Sequence, residues 1–356
     1  MTTPLRAGII GLSWIAADPA GSASTEELGT APPYSHASAF EAIGDIEVAA
    51  VCDISADSRD AFVSRWSHRW PHIEAFADLD RMLATPLDLV SVVTPDHLHG
   101  SMILRCLDAG VPMIFSEKPF TTDLAEADRV LEKIDAVDAT VGVNHTWRWR
   151  PEVGEALSVI RSGALGPLSH IVIEAGGPRA MLYRNLSHFL DLAIHLADAE
   201  PQWVSGELEK GNEGYGLSYA GDGGRDPERD PGATASIGFA TGVRAHVSGL
   251  KAAVPDVVIQ AVCRDGRITI DTLGGRTVSV PRTGDGTPGA VSGPVIQALK
   301  PRFSRWGMQA AIADLIDAHR RGAEPSSSAR SARRTVAVID AILRSHAAGS
   351  SRVEVQ

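Results

Sequence analysis

What most limits the fold of this chain is a series of short apolar runs in its first half, each ending abruptly in polar or turn-forming residues. Leu5–Ile10 meets Gly11, Ile46–Cys52 meets Asp53, and Leu87–Thr94 runs into Pro95-Asp96-His97-Leu98-His99. Met113-Ile114-Phe115 stops at Ser116-Glu117-Lys118-Pro119, and Ala139–Val143 stops at Asn144. Between them lie helical stretches at Ser38–Ala42, Asp57–Trp66, Leu79–Ala84, His99–Ala109 (closed by Gly110) and Leu124–Val137. Near-continuous apolar strands alternating with helices predict a parallel, doubly wound α/β sheet, because such strands are covered on both faces. Ligands bind such sheets beyond the carboxyl ends of the strands. Gly11, Asp53, Thr94, Glu117, Lys118 and Asn144 are therefore expected to face one crevice.

Gly11-Leu12-Ser13-Trp14-Ile15-Ala16 follows a strand and opens a helix, the setting a dinucleotide-binding fingerprint requires. Gly11 supplies the tight turn and Ala16 the close packing, while Ser13 stands where a glycine usually lets the backbone approach a pyrophosphate. Read alone, the same residues are also a plain strand-to-helix turn. Asp18–His36 is rich in Pro, Gly, Ser and Thr and predicts a loop inserted at the nucleotide edge, a candidate lid. Its length accounts for the wide gap between the glycine turn and Asp53, the acid placed to grip a ribose 2′-hydroxyl. Asp53 without an adjacent arginine favours NAD, and Arg59 keeps NADP open. Lys118 has only Glu117 as a local acid; the pair reads either as chemistry at a strand end or as a surface ion pair before a turn.

The length of 356 residues predicts two domains, and 44% hydrophobic residues is ordinary for a globular protein. A formal charge of −11 argues against nucleic acid or an anionic membrane as partner. No apolar run is long enough to span a bilayer, and MTTPLRAGII lacks a basic region followed by an apolar core. Cys52, Cys106 and Cys263 are odd in number and far apart, the pattern of free thiols; with no leader this predicts a cytoplasmic protein. No Cys/His group has metal-ligand spacing, so no metal is expected.

The strand-end residues, with GIIGLSWIA, VCDIS, TPDHLH, EKP and VGVNHTWRWRP, resemble the glucose–fructose oxidoreductase / inositol dehydrogenase / rhizopine-catabolism (Gfo/Idh/MocA) family. The resemblance spans the N-terminal half, and EKP after a fifth strand is its most specific point. It implies a Rossmann domain over residues 1–150 and an α+β domain over 151–356. The second domain would carry a large, mostly antiparallel sheet forming a substrate wall and a homo-oligomer interface, its final helices able to return to the first. It further implies NAD(P)-dependent hydride transfer to or from a secondary hydroxyl of a sugar, sugar acid or cyclitol. Cofactor contacts would come from Gly11, Ser13, Trp14, Ile15, Asp53, Thr94, Pro95, His99, Glu117, Lys118 and Asn144. Lys118 would stand beside both nicotinamide and the reacting hydroxyl.

In the second half, Glu152–Arg161 reads as a linking helix and Leu168–Glu174 as a strand. Arg184 to Asp198 is the stretch where the family places an acid, a histidine four residues on, and an aspartate three further, on one helix face. Asp191, His195 and Asp198 match those letters. His188 with Asp191 matches the histidine and second acid but leaves Arg184 in the first acid's place. The family's helix must continue beyond its histidine, and the next strand begins near Trp203, so His188 backed by Asp191 is preferred and His195 held in reserve. Arg184 then either retunes the histidine or binds an anionic substrate group. Trp147 and Arg148 are candidate sugar contacts, with packing at the domain junction as the alternative for the tryptophans.

Gly206–Gly232 reads as a mobile Gly/Asp/Arg-rich excursion. Hairpins follow at Thr234–Phe239 with Val243–Ser248 and at Val257–Cys263 with Arg267–Asp271; Thr277–Val280 closes the series. Helices at Gly307–Arg321 and Ala329–Ala347 and a strand at Arg352–Val355 complete the chain, with Arg330, Arg333 and Arg334 on a solvated face. Two other functions fit the same residues: a glycoside hydrolase working by transient oxidation and elimination, suggested by the absent first acid, and a non-catalytic sugar or dinucleotide sensor.

Overall fold

A computed structural model describes residues 3–18, 33–272, 275–283, 291–298 and 307–356. The chain divides into two compact units, Met1–Trp149 with Ser304–Arg333, and Arg150–Phe303 with Arg334–Gln356. The first break falls at Trp149/Arg150, and helix Gly307–Arg320 lies in the first unit.

The first unit holds six strands: β1 (Leu5–Ile10), β2 (Ile46–Cys52), β3 (Glu74–Phe76), β4 (Leu89–Val92), β5 (Met113–Ser116) and β6 (Thr140–Val143). All pair in parallel, in the order β3-β2-β1-β4-β5-β6. The order reverses between β1 and β4, beyond which lie Gly11 and Thr94, the position at which sheets of this kind take their ligands. Ile9, Val48, Val51, Leu89, Val90 and Ile114 are fully buried, as strands covered on both faces require. Each such side chain contributes about 1.5–3 kcal/mol by leaving water. β3 is absent from the sequence reading because Glu-Ala-Phe is short, carries a charge and pairs with β2 alone. Met308, Ala311, Ile312, Leu315 and Ile316 of helix Gly307–Arg320 join the core that contains Met113 and Phe115. The following turn covers the outer strand: Val143 N–H donates to the Ser327 carbonyl at 2.8 Å, and the Ser327 hydroxyl to the Val143 carbonyl at 2.8 Å.

The second unit is built on a nine-stranded sheet, all antiparallel except for one parallel pair, Leu168–Gly176 with Arg244–Leu250. Ile171, Ile173, Ala235, Ile237, Ala245, Val247, Ile259 and Ala261 line its buried face. Gly249 makes room for Leu186, since a Cβ there would meet its side chain at 2.2 Å and force it to move. The strand series extends beyond Val280, through Gly275–Thr283 to a further strand at Val291–Ala298, whose Gly293 and Pro294 hide it from pattern reading. Strand Pro201–Leu208 likewise runs past Gly206, so the Gly-rich excursion starts later than its composition suggests. The arginines of helix Ala329–Ala347 are ion-paired rather than simply solvated: Arg330 with Glu324 and Asp135, Arg333 with Asp128, Arg334 with Glu200. Exposed pairs of this kind contribute about 0–1 kcal/mol each.

Candidate active site

Gly11 turns the chain out of β1 with φ +86°, and a Cβ there would lie 2.6 Å from the Val93 carbonyl oxygen. Only glycine fits this turn. Its N–H donates to the Cys52 carbonyl at 2.8 Å, which joins the ends of β1 and β2. Asp53 reinforces the junction: Oδ2 accepts Leu12 N–H and Oδ1 accepts Ser55 N–H, both at 2.8 Å. Each carboxylate oxygen keeps a further lone pair for a diol. Arg59, the residue that left NADP open, donates from Nη1 to the Asp53 carbonyl at 2.7 Å. Ser13, at the position where a glycine usually stands, is exposed. Helix α1 (Trp14–Ala17) is a single turn in which Ala16 is fully buried; the proposed lid lies largely at residues 19–32, outside the described residues.

At the ends of β4, β5 and β6 the polar groups face one another. Glu117 is 6% exposed, and its Oε1 meets His36 Nε2 at 3.1 Å and Asn144 Nδ2 at 2.6 Å. Burial by itself raises the Glu117 pKa, but the hydrogen bond and charge of His36, the nearby Lys118 and the Asn144 amide together hold the carboxyl well below the usual range. Glu117 and Asn144, expected at the cofactor, thus spend these groups on each other. Asn144 Oδ1 and Thr94 Oγ1 are buried and have no hydrogen-bond partner among the described residues. His99, expected at the cofactor, has a fully buried ring that faces the Pro119 carbonyl at 2.6 Å and the Thr94 carbonyl at 2.9 Å. It ties two loops together, and both ring nitrogens are occupied by main chain. Pro95 is exposed beside it, and Lys118 is half-buried, its N–H donating to Glu117 Oε2 at 3.3 Å. His36 was missed. It lies 81 positions from Glu117, and a lone histidine opening a helix carries no local signal.

In the second unit a π-helical turn, Leu182–Leu186, leads into helix Ser187–Ala197. His188 is half-buried, while Asp191 is fully buried, with Thr335 Oγ1 at 3.4 Å from its Oδ1. His195 sits in the last turn, and Asp198 is an exposed left-handed C-cap with φ 48° that reaches Arg161 at 3.4 Å. The Asp191/His195/Asp198 set therefore runs from the core to open surface. Arg184 is tied to the Gly-rich excursion: its Nη1 donates to the Gly223 carbonyl, and its side chain lies against Gly224. Asp230, 1% exposed and overlooked in the sequence, accepts the N–H groups of Tyr183 and Arg184, both at 3.1 Å. Arg148, expected to touch a sugar, is buried and donates to the Ser326 carbonyl, whereas Trp147 in the same turn is half-buried.

Among the described residues no His/Cys/Asp/Glu group could hold a metal, and no helix is long and apolar enough to cross a membrane. The three cysteines are free and buried. Residues 5–145 match the model of an oxidoreductase family with an NAD-binding Rossmann fold, GFO_IDH_MocA. D-apiose dehydrogenase of Paraburkholderia graminis is 25% identical over 333 residues, 86% of this chain and 82% of that one. Inositol 2-dehydrogenase of Leifsonia xyli subsp. xyli is 31% identical over 162 residues, 45% of this chain and 46% of the relative. This chain likewise spans only 42% of an uncharacterized oxidoreductase of Schizosaccharomyces pombe, at 28% identity. A levoglucosan dehydrogenase solved with NADH and L-sorbose superposes with a TM-score of 0.76 at 18% identity, over the whole of both chains. UDP-N-acetylglucosamine 3-dehydrogenase of Acidithiobacillus ferrooxidans gives 0.70 at 21% identity, over 98% of this chain and 100% of that one. At these identities the structures speak for the fold.

Proposed function

We propose that this chain, whose residues 5–145 match the model of the Gfo/Idh/MocA family of NAD-binding oxidoreductases, moves hydride between NAD(P) and a secondary hydroxyl of a sugar, sugar acid or cyclitol. The observation that carries this reading is Lys118, half-buried at the carboxyl end of β5 on the same sheet edge as Asp53, Thr94 and Asn144. The residues present suit a dinucleotide. Asp53 has lone pairs left for a ribose diol, Gly11 to Ile15 offer a tight turn for the pyrophosphate, and the buried Thr94 hydroxyl and Asn144 Oδ1 can serve as donor-acceptor and acceptor to the cofactor.

The nicotinamide, when bound, supplies or accepts the hydride. The protein's part is to place the alcohol and manage its proton. Lys118 Nζ donates a hydrogen bond to the reacting oxygen and stabilises the negative charge that develops there, an effect strongest in a site closed to water. His188 takes the hydroxyl proton on an imidazole nitrogen, a role suited to a side chain whose reference pKa is near neutrality. Asp191, behind it in the helix, steadies the ring. Relatives named as apiose and inositol dehydrogenases support the polyhydroxylated substrate class.

The test is the absorbance of reduced nicotinamide when NAD or NADP and the protein meet a panel of free sugars, sugar acids, cyclitols and glycosides. A rise with one compound that disappears in Lys118→Ala is the expected result. Aglycone release without net reduction would replace this reading with transient-oxidation hydrolysis, and silence across the panel would contradict both.

A further inference from the structure

Most buried polar groups near the crevice bond to main chain, but one set bonds side chain to side chain through the core. His36, the first residue of helix α2 (His36–Ile43), is fully buried and packs against the Phe115 ring at 5.5 Å between centroids. Its Nδ1 meets Ser91 Oγ at 3.0 Å, inside β4, and its Nε2 meets Glu117 Oε1 at 3.1 Å, beyond β5. Asn144 Nδ2, beyond β6, closes on the same oxygen at 2.6 Å. One helix and the ends or interiors of three adjacent strands thus converge on one carboxylate. An ionised carboxylate only accepts hydrogen bonds, so His36 Nε2 carries the hydrogen and donates.

The Ser91–His36–Glu117 order has the letters of a nucleophilic triad, but the placement excludes that chemistry. Ser91 and His36 are both 0% exposed, and Ser91 lies opposite Phe115 in the middle of the parallel ladder, with no path for a substrate. What the set can do is hold. Glu117 Oε2 accepts the N–H of Lys118 at 3.3 Å, and Glu117 N–H donates to the Val92 carbonyl at 2.9 Å. Asn144 N–H donates to the Ser116 carbonyl at 2.8 Å, and His99 Nδ1 faces the Pro119 carbonyl at 2.6 Å. The main chain on both sides of Lys118 is thereby fixed, with Glu117 at its centre.

We propose that His36 is a positioning residue for Lys118: backed by Ser91, it fixes the Glu117 carboxylate, and through Glu117 the main chain from which Lys118 reaches the reacting hydroxyl. The inference rests on the assignment of Lys118 to that hydroxyl. It also gives the helix after the inserted loop a task. The Ser35 hydroxyl caps α2 by accepting Ser38 N–H at 3.2 Å and donates to the Asp18 carbonyl, so the two ends of the insertion meet where His36 enters the core. Removing the His36 donor leaves a buried charge short of a partner, and a shift of about 1 Å at a reacting group costs roughly 100-fold in rate.

The experiment compares His36→Leu, which removes the donor, with His36→Gln, whose amide N–H can reach Glu117. His36→Leu is expected to lower kcat about 10- to 100-fold, with KM and the NADH dissociation constant within about threefold of the parent. His36→Gln is expected to recover to within about fivefold. On a Lys118→Ala background, adding His36→Leu is expected to cost less than about threefold, because residues acting as a unit are not additive. Equal losses in the Leu and Gln variants, or full multiplication on Lys118→Ala, would overturn the proposal.

A second readout needs no turnover, so it stands apart from the functional reading. Acetylation of Lys118 by acetic anhydride, measured by peptide mass spectrometry against the exposed Lys210, reports the placement of the amine. His36→Leu is expected to change that ratio about fivefold or more and His36→Gln to leave it near the parent value. An unchanged ratio in both would overturn the proposal even if no substrate is ever found. Should His36→Leu fail to fold, Ser91→Ala removes only the far hydroxyl and is expected to move the ratio in the same direction; no movement would overturn it.

Discussion

At the end of β5, one carboxylate is gripped by side chains from a helix and a neighbouring strand end, whereas ahead of His188 one carboxylate grips main chain. Glu117 is held by His36 and Asn144 in the core of the parallel sheet. Asp230, arriving from a Gly-rich excursion, accepts the N–H groups of Tyr183 and Arg184 at the turn before helix Ser187–Ala197. The two supports should fail differently. A side-chain network holds one geometry and loses it when a partner is removed. A cap on main-chain N–H groups secures a helix entry that side chains further along can still largely define.

The largest effect expected is on the chemistry itself. Lys118→Ala should lower kcat by about 100- to 10,000-fold while NADH affinity, read by fluorescence titration, stays nearly unchanged. A comparable loss of NADH affinity would make Lys118 a cofactor anchor instead. Next comes the histidine. His188→Asn should cost about 100- to 1,000-fold in kcat, and His195→Asn, in the last turn of the same helix, less than about threefold. The reverse order would move the proton-handling role to His195. Asp230→Ala then tests the cap: two N–H groups lose their acceptor, and unfolding in urea should show a loss of about 1–3 kcal/mol. If that variant instead lost activity with no loss of stability, the contrast between the two supports would fail.

The smallest effect is in acid. The folded-state pKa of Glu117 is depressed, so its ionised form stabilises the folded protein above the unfolded value of 4.5, and this contribution is lost as pH falls through the folded value. The urea midpoint of Glu117→Gln should therefore lag the parent most near pH 7, and the gap should narrow towards about pH 3. A gap that widened in acid would mean Glu117 is held protonated.

How far the sequence could be read follows from where each signal sits. The parallel sheet was legible because its strands are apolar on both faces and end in residues of another kind, so Asp53 and Lys118 could be placed from their neighbours alone. Gly11 was legible for the same reason, since a turn needing φ > 0 leaves a glycine behind. His36, Ser91 and Asp230 were not, because each acts on a residue tens of positions away and its own neighbourhood says nothing of it. Arg148 and Arg184 have partners that the sequence did not show. Charge near a site motif suggested substrate contact, yet their guanidinium groups turn to the main-chain carbonyls of Ser326 and Gly223. His99 likewise faces two main-chain carbonyls that no local pattern marks. The edge strands Glu74–Phe76 and Val291–Ala298 went unseen because a charge and a Gly-Pro pair, tolerated at an edge, erase the strand pattern.

The most direct test of the central claim is whether hydrogen passes from substrate carbon to nicotinamide on this protein. A polyol that gives net reduction is prepared with deuterium on its oxidisable carbon and incubated with NAD, and the recovered NADH is analysed by mass spectrometry. The account predicts one deuterium in the nicotinamide ring, appearing with the parent and lost with Lys118→Ala. Turnover of the labelled polyol with no deuterium in the nicotinamide would contradict it.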